Sequence, residues 1–374
     1  MDAQTKKPGC QCLYAAAERF LPQGEVAEVR EYGNGNINDT FLVTPSGKDT
    51  KRFILQRINT SVFRRPDLVM RNARTVTEHV EGRLRREPVA EGRRWETPRV
   101  LPALDGRDCW IDPGGSFWRA VSFIEAARSH EVVEDMDHAR EVGWALGTFH
   151  SLVSDLAAER LADTLEGFHV TPLYLRRYDE VLTIECARKS PEMDYAARFV
   201  SERRSRAAVL ENARDSGMLR LRPIHGDPKV NNVMVDTATR RAVGMIDLDT
   251  VKPGLVHYDI GDCLRSCCNP PGEETERWES VRFETEFCKA ILQGYLPIAG
   301  AFLTGYDYEY LFDAIRLIPF ELGLRFLTDY LEGNVYFKAR HEEHNLVRSL
   351  VQFKLAESIE SQETAIRSLI REMR

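Results

Sequence analysis

With 374 residues, 43% of them hydrophobic and 29% charged, the chain is long enough for two or three folded units and has the composition of a globular protein. A net charge of −7 and a pI near 5.8 give no field that would gather nucleic acid, and no run of about 18 apolar residues is present to cross a membrane. The opening MDAQTKKPGCQCLY lacks an apolar signal core, and the 8 cysteines include no matched CxxC pairs, so a cytoplasmic protein with reduced thiols and no zinc site is expected.

Residues 1 to about 12 are polar and are expected to be disordered. A short helix is expected from Leu13 to Phe20. Three strand runs follow, Val26–Tyr32, Thr40–Val43 and Arg52–Ile58. Between the first two lies Gly33-Asn34-Gly35-Asn36-Ile37-Asn38-Asp39. Glycines there let the backbone approach a ligand closely, with N–H groups free to point at phosphate oxygens. The loop is not a full GxGxxG, because Asn38 stands where the third glycine would be. No GxxxxGK[ST] occurs, which argues against a P-loop enzyme.

On the third strand, Gln56 and Arg57 point to opposite faces. Residues 66–83 form a helical pattern opened by Pro66, with Leu68, Val69, Ala73, Val76 and Val80 on one face and Glu78 among its charges. Short strands are expected at Val100–Leu104 and Cys109–Ile111, then a longer one at Phe117–Ile124. From about residue 134 the pattern turns helical. Val142, Ala145, Leu146, Phe149, Val153 and Leu156 make a core-facing stripe, and His150 beside it is read as structural. Further helices are expected at Leu173–Glu185, Ala196–Asn212, Trp278–Gly294, Asp307–Tyr330 and Asn345–Met373. His341-Glu342-Glu343-His344 is not HExxH, since its histidines are three apart.

The most informative stretch is Ile224-His225-Gly226-Asp227-Pro228-Lys229-Val230-Asn231-Asn232, followed by two short apolar runs and then Asp247-Leu248-Asp249. An Asp, four residues, an Asn and a later Asp is the layout of a protein-kinase catalytic loop with its metal carboxylate. A phosphoryl-transfer site must align a hydroxyl with the γ-phosphate of ATP and neutralise the phosphate oxygens. Asp227 is placed to accept the hydroxyl proton. Asn232 and Asp247 offer the hard oxygen ligands that suit Mg²⁺. Asp249 either touches a second Mg²⁺ or caps the turn.

HGDPKVNNVMVD and MIDLDTVKPGLVHYDIGD resemble the aminoglycoside phosphotransferase and choline kinase superfamily. GNGNINDTFLV, FILQRIN, LEGFHVTPLYLRRYDEVL and ELGLRFLTDYLEGNVYFK narrow the resemblance to N-acetylhexosamine 1-kinases, over about residues 20–360. The resemblance implies an α+β, protein-kinase-like fold of two lobes, with a β-rich N-lobe over 1–125 and a helical C-lobe over 126–374. It implies ATP and Mg²⁺ as cofactors and transfer to the anomeric hydroxyl of an N-acetylhexosamine. Gly33, Gly35, Asn38, Asp39 and Thr40 would cover the nucleotide. Phe123 to Glu125 would meet the base through main chain. Asp259 would brace the catalytic loop, with His225 and Asp249 in support.

On the sugar side, Arg325 lies in an apolar helix and Tyr336 just past its end, and both match sugar-contacting residues of that family. Asn36 stands where the family has a histidine that touches the sugar. The chain departs from kinases in general by lacking a strand lysine, which leaves Gln56 or Arg57 as the phosphate-pairing residue. Two other readings stay open. One is a kinase of the same fold acting on an aminoglycoside, choline or homoserine. The other is a non-catalytic kinase-like binding module.

Overall fold

The N-terminal strand runs and the 3.6-residue stripes that follow are both realised in the computed structural model, which describes residues 8–33, 37–47, 50–89, 92–184 and 190–374. Strands β1 (Val26–Glu31), β2 (Asp39–Pro45), β3 (Phe53–Ile58), β4 (Val100–Leu101), β5 (Trp110–Ile111) and β6 (Phe117–Ser122) form one antiparallel sheet. Its order is β1-β2-β3-β6-β4, with β5 also on β6. Phe41, Leu55 and Ala120 lie in one cross-strand row and pack under Ala16, Ala17 and Phe20 at the end of helix α1 (Cys10–Glu18). The next row, Thr40, Gln56 and Arg119, faces the opposite side, towards the cleft.

Helix α1 starts earlier than the expected Leu13. Helix α2 (Pro66–Arg86) opens on its proline, with Asp67 in the first turn and three arginines in the last, matching the helix dipole. It buries Val69, Met70 and Ala73 against Ile58 and Phe117. Its Asn72 is fully buried, donating to the carbonyls of Ala162 (2.8 Å) and Val251 (2.9 Å) and accepting from the Ala162 amide (2.9 Å). This one side chain pins α2 to the C-terminal region.

Beyond the sheet the chain is mainly helical. Strand β7 (Ala127–Arg128) leads to α3 (Met136–Val153), α4 (Thr171–Ile184), α5 (Pro191–Arg203) and α6 (Val209–Asp215). The helix expected over 196–212 is two helices. Ser190 and Pro191 start the first one early by capping it, and the polar Arg203-Arg204-Ser205-Arg206 run interrupts the apolar stripe. Strands β8 (Arg222–Ile224), β9 (Val233–Asp236), β10 (Ala242–Met245) and β11 (Lys252–Gly254) make two small sheets, β10-β9-β7 and β11-β8. Then come α7 (Val256–Cys267), α8 (Thr285–Ala299), α9 (Gly305–Glu309), α10 (Leu311–Leu331), α11 (His344–Ser361) and α12 (Glu363–Glu372). The last two expected helices are each broken once, at Tyr310 and at Gln362. No helix among the described residues is long and apolar enough to cross a membrane.

The C-terminal core is organised by the crossing of α3 and α8. A methyl group placed on Gly143 would lie 1.9 Å from the Ile291 carbonyl oxygen, and one on Gly294 would lie 2.0 Å from that of Arg140. The helices touch backbone to backbone, and this holds His150 of α3 beneath the catalytic loop. Gly143→Ala should therefore destabilise the protein by about 1–3 kcal/mol, the usual cost of overpacking. A urea-unfolding midpoint equal to that of the unsubstituted protein would show that the two helices can separate freely.

Candidate active site

The stretch around Asp227 is placed from below by a buried carboxylate. Asp259, in the first turn of α7, is 0% exposed. It accepts the amide N–H of His225 (2.6 Å) and of Gly226 (2.8 Å), and His150 Nε2 lies 2.8 Å away, with Tyr295 on that ring's other nitrogen at 2.9 Å. Burial opposes the charge on Asp259, but the His150 hydrogen bond, the nearby imidazoles and the loop amides outweigh it and hold its carboxyl below the ordinary range. Gly226 has φ +88°, and a methyl group there would come within 2.6 Å of the Thr250 carbonyl, so the turn requires glycine.

His225 carries the clamp forward. Its Nδ1 accepts the Asp227 amide (3.4 Å) and its Nε2 donates to the Ile246 carbonyl (3.0 Å), which needs a neutral ring. Burial lowers its pKa in the same sense. The Ile246 amide donates to the Asn232 carbonyl (2.9 Å), so the Asn232 and Asp247 backbones are fixed side by side. Asn232 Nδ2 donates to the Asp227 carbonyl (2.7 Å), which leaves its Oδ1 as the amide's remaining acceptor.

Asp227 is about a quarter exposed and pairs with Lys229 (2.9 Å). Burial would raise its pKa, but Lys229 prevails and holds it below the ordinary carboxylate range. Asp247 sits in a left-handed backbone conformation (φ 64°, ψ 59°) with its side chain open to the cleft. The surrounding walls, then the neighbouring carboxylates of Asp249 and Asp227, push its pKa up to about 7, an effect that cleft water tempers. Hard oxygens crowded with negative charge are a donor set that suits Mg²⁺.

Asp249 is committed elsewhere. It is 2% exposed, forms an ion pair with Arg119 of β6, and accepts Asn38 Nδ2 at 2.6 Å. Arg119 Nε donates to Gln56 Oε1 (2.9 Å), and Gln56 Nε2 to Thr40 Oγ1 (3.0 Å). Of the two candidates on β3, Gln56 faces the cleft. Arg57 lies on the α1 side and binds Asp39 (2.8 and 2.5 Å), so neither Arg57 nor Asp39 is aimed at the cleft as expected. Glu78 pairs with Arg74 on the helix surface, as a surface charge would.

Gly33 has φ +74°, while Gly35 and Asn36 lie outside the described residues. Phe123 meets Tyr32 edge-on (5.7 Å) and lies under Arg52 (4.5 Å). The Glu125 carbonyl already accepts from Arg94 (2.9 Å) and its carboxylate binds Arg52, so Glu125 is less open to a base than expected.

A cavity of about 790 Å³ lies beside the catalytic loop, with Arg325, Tyr336, Tyr174, Phe168 and Phe337 in its wall. The Arg325 guanidinium lies over three rings of that wall, Phe168 and Tyr174 at 5.1 Å each and Phe337 at 5.4 Å. Among the described residues no carboxylate lies within ion-pair distance of it. Asp227 does not line this cavity.

The two are joined by His169, which sequence reasoning passed over. Its Nε2 donates to the Gly226 carbonyl (2.8 Å) and its Nδ1 to Glu321 (3.0 Å), which also accepts from Thr171 (2.7 Å). Burial opposes its charge, but Glu321 raises its pKa above the ordinary imidazole value. Its φ of 65° was the kind of feature only a structure reveals. Elsewhere, His130, Glu134 and His138 approach one another as metal ligands would. His138 Nδ1, however, accepts the Glu134 amide (3.1 Å), which puts the ring proton on Nε2 and leaves no lone pair for an ion.

Residues 28–306 match the family described as "Phosphotransferase enzyme family". The structure is similar to an aminoglycoside phosphotransferase from Alicyclobacillus acidocaldarius, with TM-score 0.63, 14% identity and 99% of both chains covered. It is similar to choline kinase from Cryptosporidium parvum, with TM-score 0.62, 13% identity, and 98% of this chain and 99% of that one covered. A microcompartment-associated aminopropanol kinase gives TM-score 0.57 at 17% identity, over 94% of this chain and 98% of that one. At such identities the likeness shows the fold, a kinase-like α+β arrangement. The family match spans most of the sequence, and the chain belongs to the phosphotransferase enzyme family.

Proposed function

We propose that this phosphotransferase is an ATP- and Mg²⁺-dependent sugar kinase acting on the anomeric hydroxyl of an N-acetylhexosamine. The observation that carries the substrate class is the state of charge in the cavity. Of its four lining carboxylates, Asp163 is paired with Lys252, Glu332 with Arg177, and Asp329 is spent on the Tyr336 and Phe337 amides and on Asn345. Only exposed Glu166 is left for an ammonium group. A cationic acceptor such as an aminoglycoside or choline would find little to balance it. Aromatic faces and a guanidinium that pairs with no carboxylate among the described residues suit a neutral, oxygen-rich ring.

In this reading Asp227, kept ionised by Lys229, accepts the proton of the acceptor hydroxyl. The acceptor oxygen bonds to the γ-phosphorus as the bond to the β,γ-bridging oxygen breaks and ADP departs. Asn232 and Asp247 would hold Mg²⁺, which supplies charge neutralisation at the phosphates when bound. His225 and Asp259 hold the loop, so the base needs no search for its geometry. Arg325 and Tyr336 orient the sugar.

Asp227→Asn should still bind MgATP but lower kcat by about 10²–10⁴-fold, the range for a lost general base. Turnover within tenfold of the unsubstituted enzyme would remove Asp227 from that role.

The crowding at Asp247 makes a pH claim. Its pKa is raised, so a proton competes with Mg²⁺ as pH falls below about 7, and apparent Mg²⁺ affinity should weaken there. The charged form is the disfavoured one, so metal-free Asp247→Asn should melt higher than the unsubstituted protein, by a margin that grows from pH 5 to pH 8. Melting curves across that range, with and without MgATP, check both, and equal curves for the two proteins would count against the ligand role.

Arg325→Ala should raise KM for the sugar about 10–100-fold, as expected when a charged hydrogen-bond donor is lost, with KM for ATP nearly unchanged. An ADP-release screen over hexosamines, neutral hexoses, choline, homoserine and aminoglycosides tests the substrate. A sugar 1-phosphate releases phosphate in brief acid treatment and a 6-phosphate does not. Acid-stable product, or activity confined to choline or an aminoglycoside, would overturn the reading.

A further inference from the structure

Strand β3 sends no cation into the cleft: Gln56 faces it, and Arg57 is turned away onto Asp39. The cation on that face comes from the next strand. Arg119 is 4% exposed, directly opposite Gln56 in the sheet register, and its partner Asp249 is still less exposed. We propose that Arg119 is the positioning cation of the nucleotide site, and that with Asn38 it forms a latch on Asp249 that couples the Gly-rich hairpin to the Asp247 turn.

Both carboxylate oxygens of Asp249 are engaged by the N-terminal sheet region, one by Arg119 and the other by Asn38 at 2.6 Å. Its carbonyl accepts from Thr164 on the opposite side (3.2 Å). Asn38 sits at the foot of the hairpin, where its Oδ1 accepts the Asn59 amide (2.9 Å) and ties that foot to the end of β3. Gln56 aims Arg119 through Oε1 and is itself fixed by Thr40. The chain of contacts Thr40–Gln56–Arg119–Asp249 thus crosses three strands and ends two residues from Asp247, within one rigid turn at 248–250. The foot of the hairpin at Asn38 and the turn that carries Asp247 are thereby held to one another. A buried pair of this kind is sensitive to loss of either partner, because the other is left charged and dry.

The latch rests on the phosphoryl-transfer reading of the site. It is tested with full-length Arg119→Met and Asp249→Asn, made singly and together. Calorimetry gives MgATP affinity, ADP release gives KM and kcat, and mass spectrometry gives amide exchange of residues 37–45 in the nucleotide-free protein. Each single variant should weaken MgATP binding about 10–100-fold, as for lost outer-shell support of a metal site. Each should speed exchange in the hairpin and leave kcat at saturation within about fivefold. The double variant should be no worse than the weaker single one, since the two act through one contact. Asn38→Ala removes two hydrogen bonds, to Asp249 and from the Asn59 amide, and no charge. It should show the same pattern in smaller measure, and it decides the matter if the charged variants do not fold.

Unaltered affinity and exchange in Arg119→Met and Asn38→Ala, or additive penalties, would overturn the latch. So would a lower kcat at unchanged affinity, which assigns Arg119 to the reacting phosphate itself. If the unsubstituted protein binds no MgATP, the phosphoryl-transfer reading fails, while the exchange measurements still decide the latch.

Discussion

The site depends on one carboxylate that never meets solvent. Burying an ionised aspartate costs several kcal/mol unless its lone pairs are filled. Asp259 fills them with two consecutive loop amides and an imidazole. The constraint runs both ways. Without Asp259, the His225 and Gly226 amides would be buried donors with no acceptor, at about 1–3 kcal/mol each. Without the loop, the charge would be stranded in the core. This mutual need fixes the His-Gly-Asp turn in space. From it follow the neutral form of His225, the Ile246 carbonyl it holds, and the position of Asp247.

Above the clamp, charge is distributed unevenly and with purpose. Asp227 and Asp249 each have a basic partner, while among the described residues Asp247 forms no ion pair. The excess negative potential of the cleft is thus concentrated on the side chain with the best access to a cation. The basic partners come from different places: Lys229 from the loop itself, Arg119 from the far sheet. Lys229 outweighs burial and holds the Asp227 carboxyl below the ordinary range, which gives the proposed base a low pKa. That suits phosphoryl transfer, where positioning contributes more than proton affinity.

Much of this was legible in the sequence, for identifiable reasons. His225, Asp227, Asn232 and Asp247 sit within about two dozen residues, with spacings that local geometry enforces, so the pattern is visible without a fold. The strands and long helices followed from apolar period. Helix breaks at 204–206, Tyr310 and Gln362 were missed, because propensity changes little across them and tertiary packing decides. Arg119 was hidden for another reason. It is one arginine in the strand FWRAVS, and only the register opposite Gln56 gives it meaning. His169 was concealed likewise, since its two partners lie 57 and 152 residues away. Gly35 and Asn36 are outside the described residues.

His169 has a consequence for how such a protein can diversify. Glu321 and Arg325 are one turn apart on α10, and Glu321 is joined through His169 to the Gly226 carbonyl. That wall of the cavity cannot shift without disturbing the residue before Asp227, so substitutions there are filtered by catalysis. The other walls are tied less directly to that turn, Tyr336 through its amide to Asp329 (2.7 Å) and α2 through Asn72 to the Val251 carbonyl (2.9 Å). Ser61 to Leu68 border the cavity from the start of α2, and Tyr336, half exposed, borders it from a loop. Reshaping the cavity for a different acceptor is therefore easier on those two walls than on α10, where each substitution also loads the Gly226 turn.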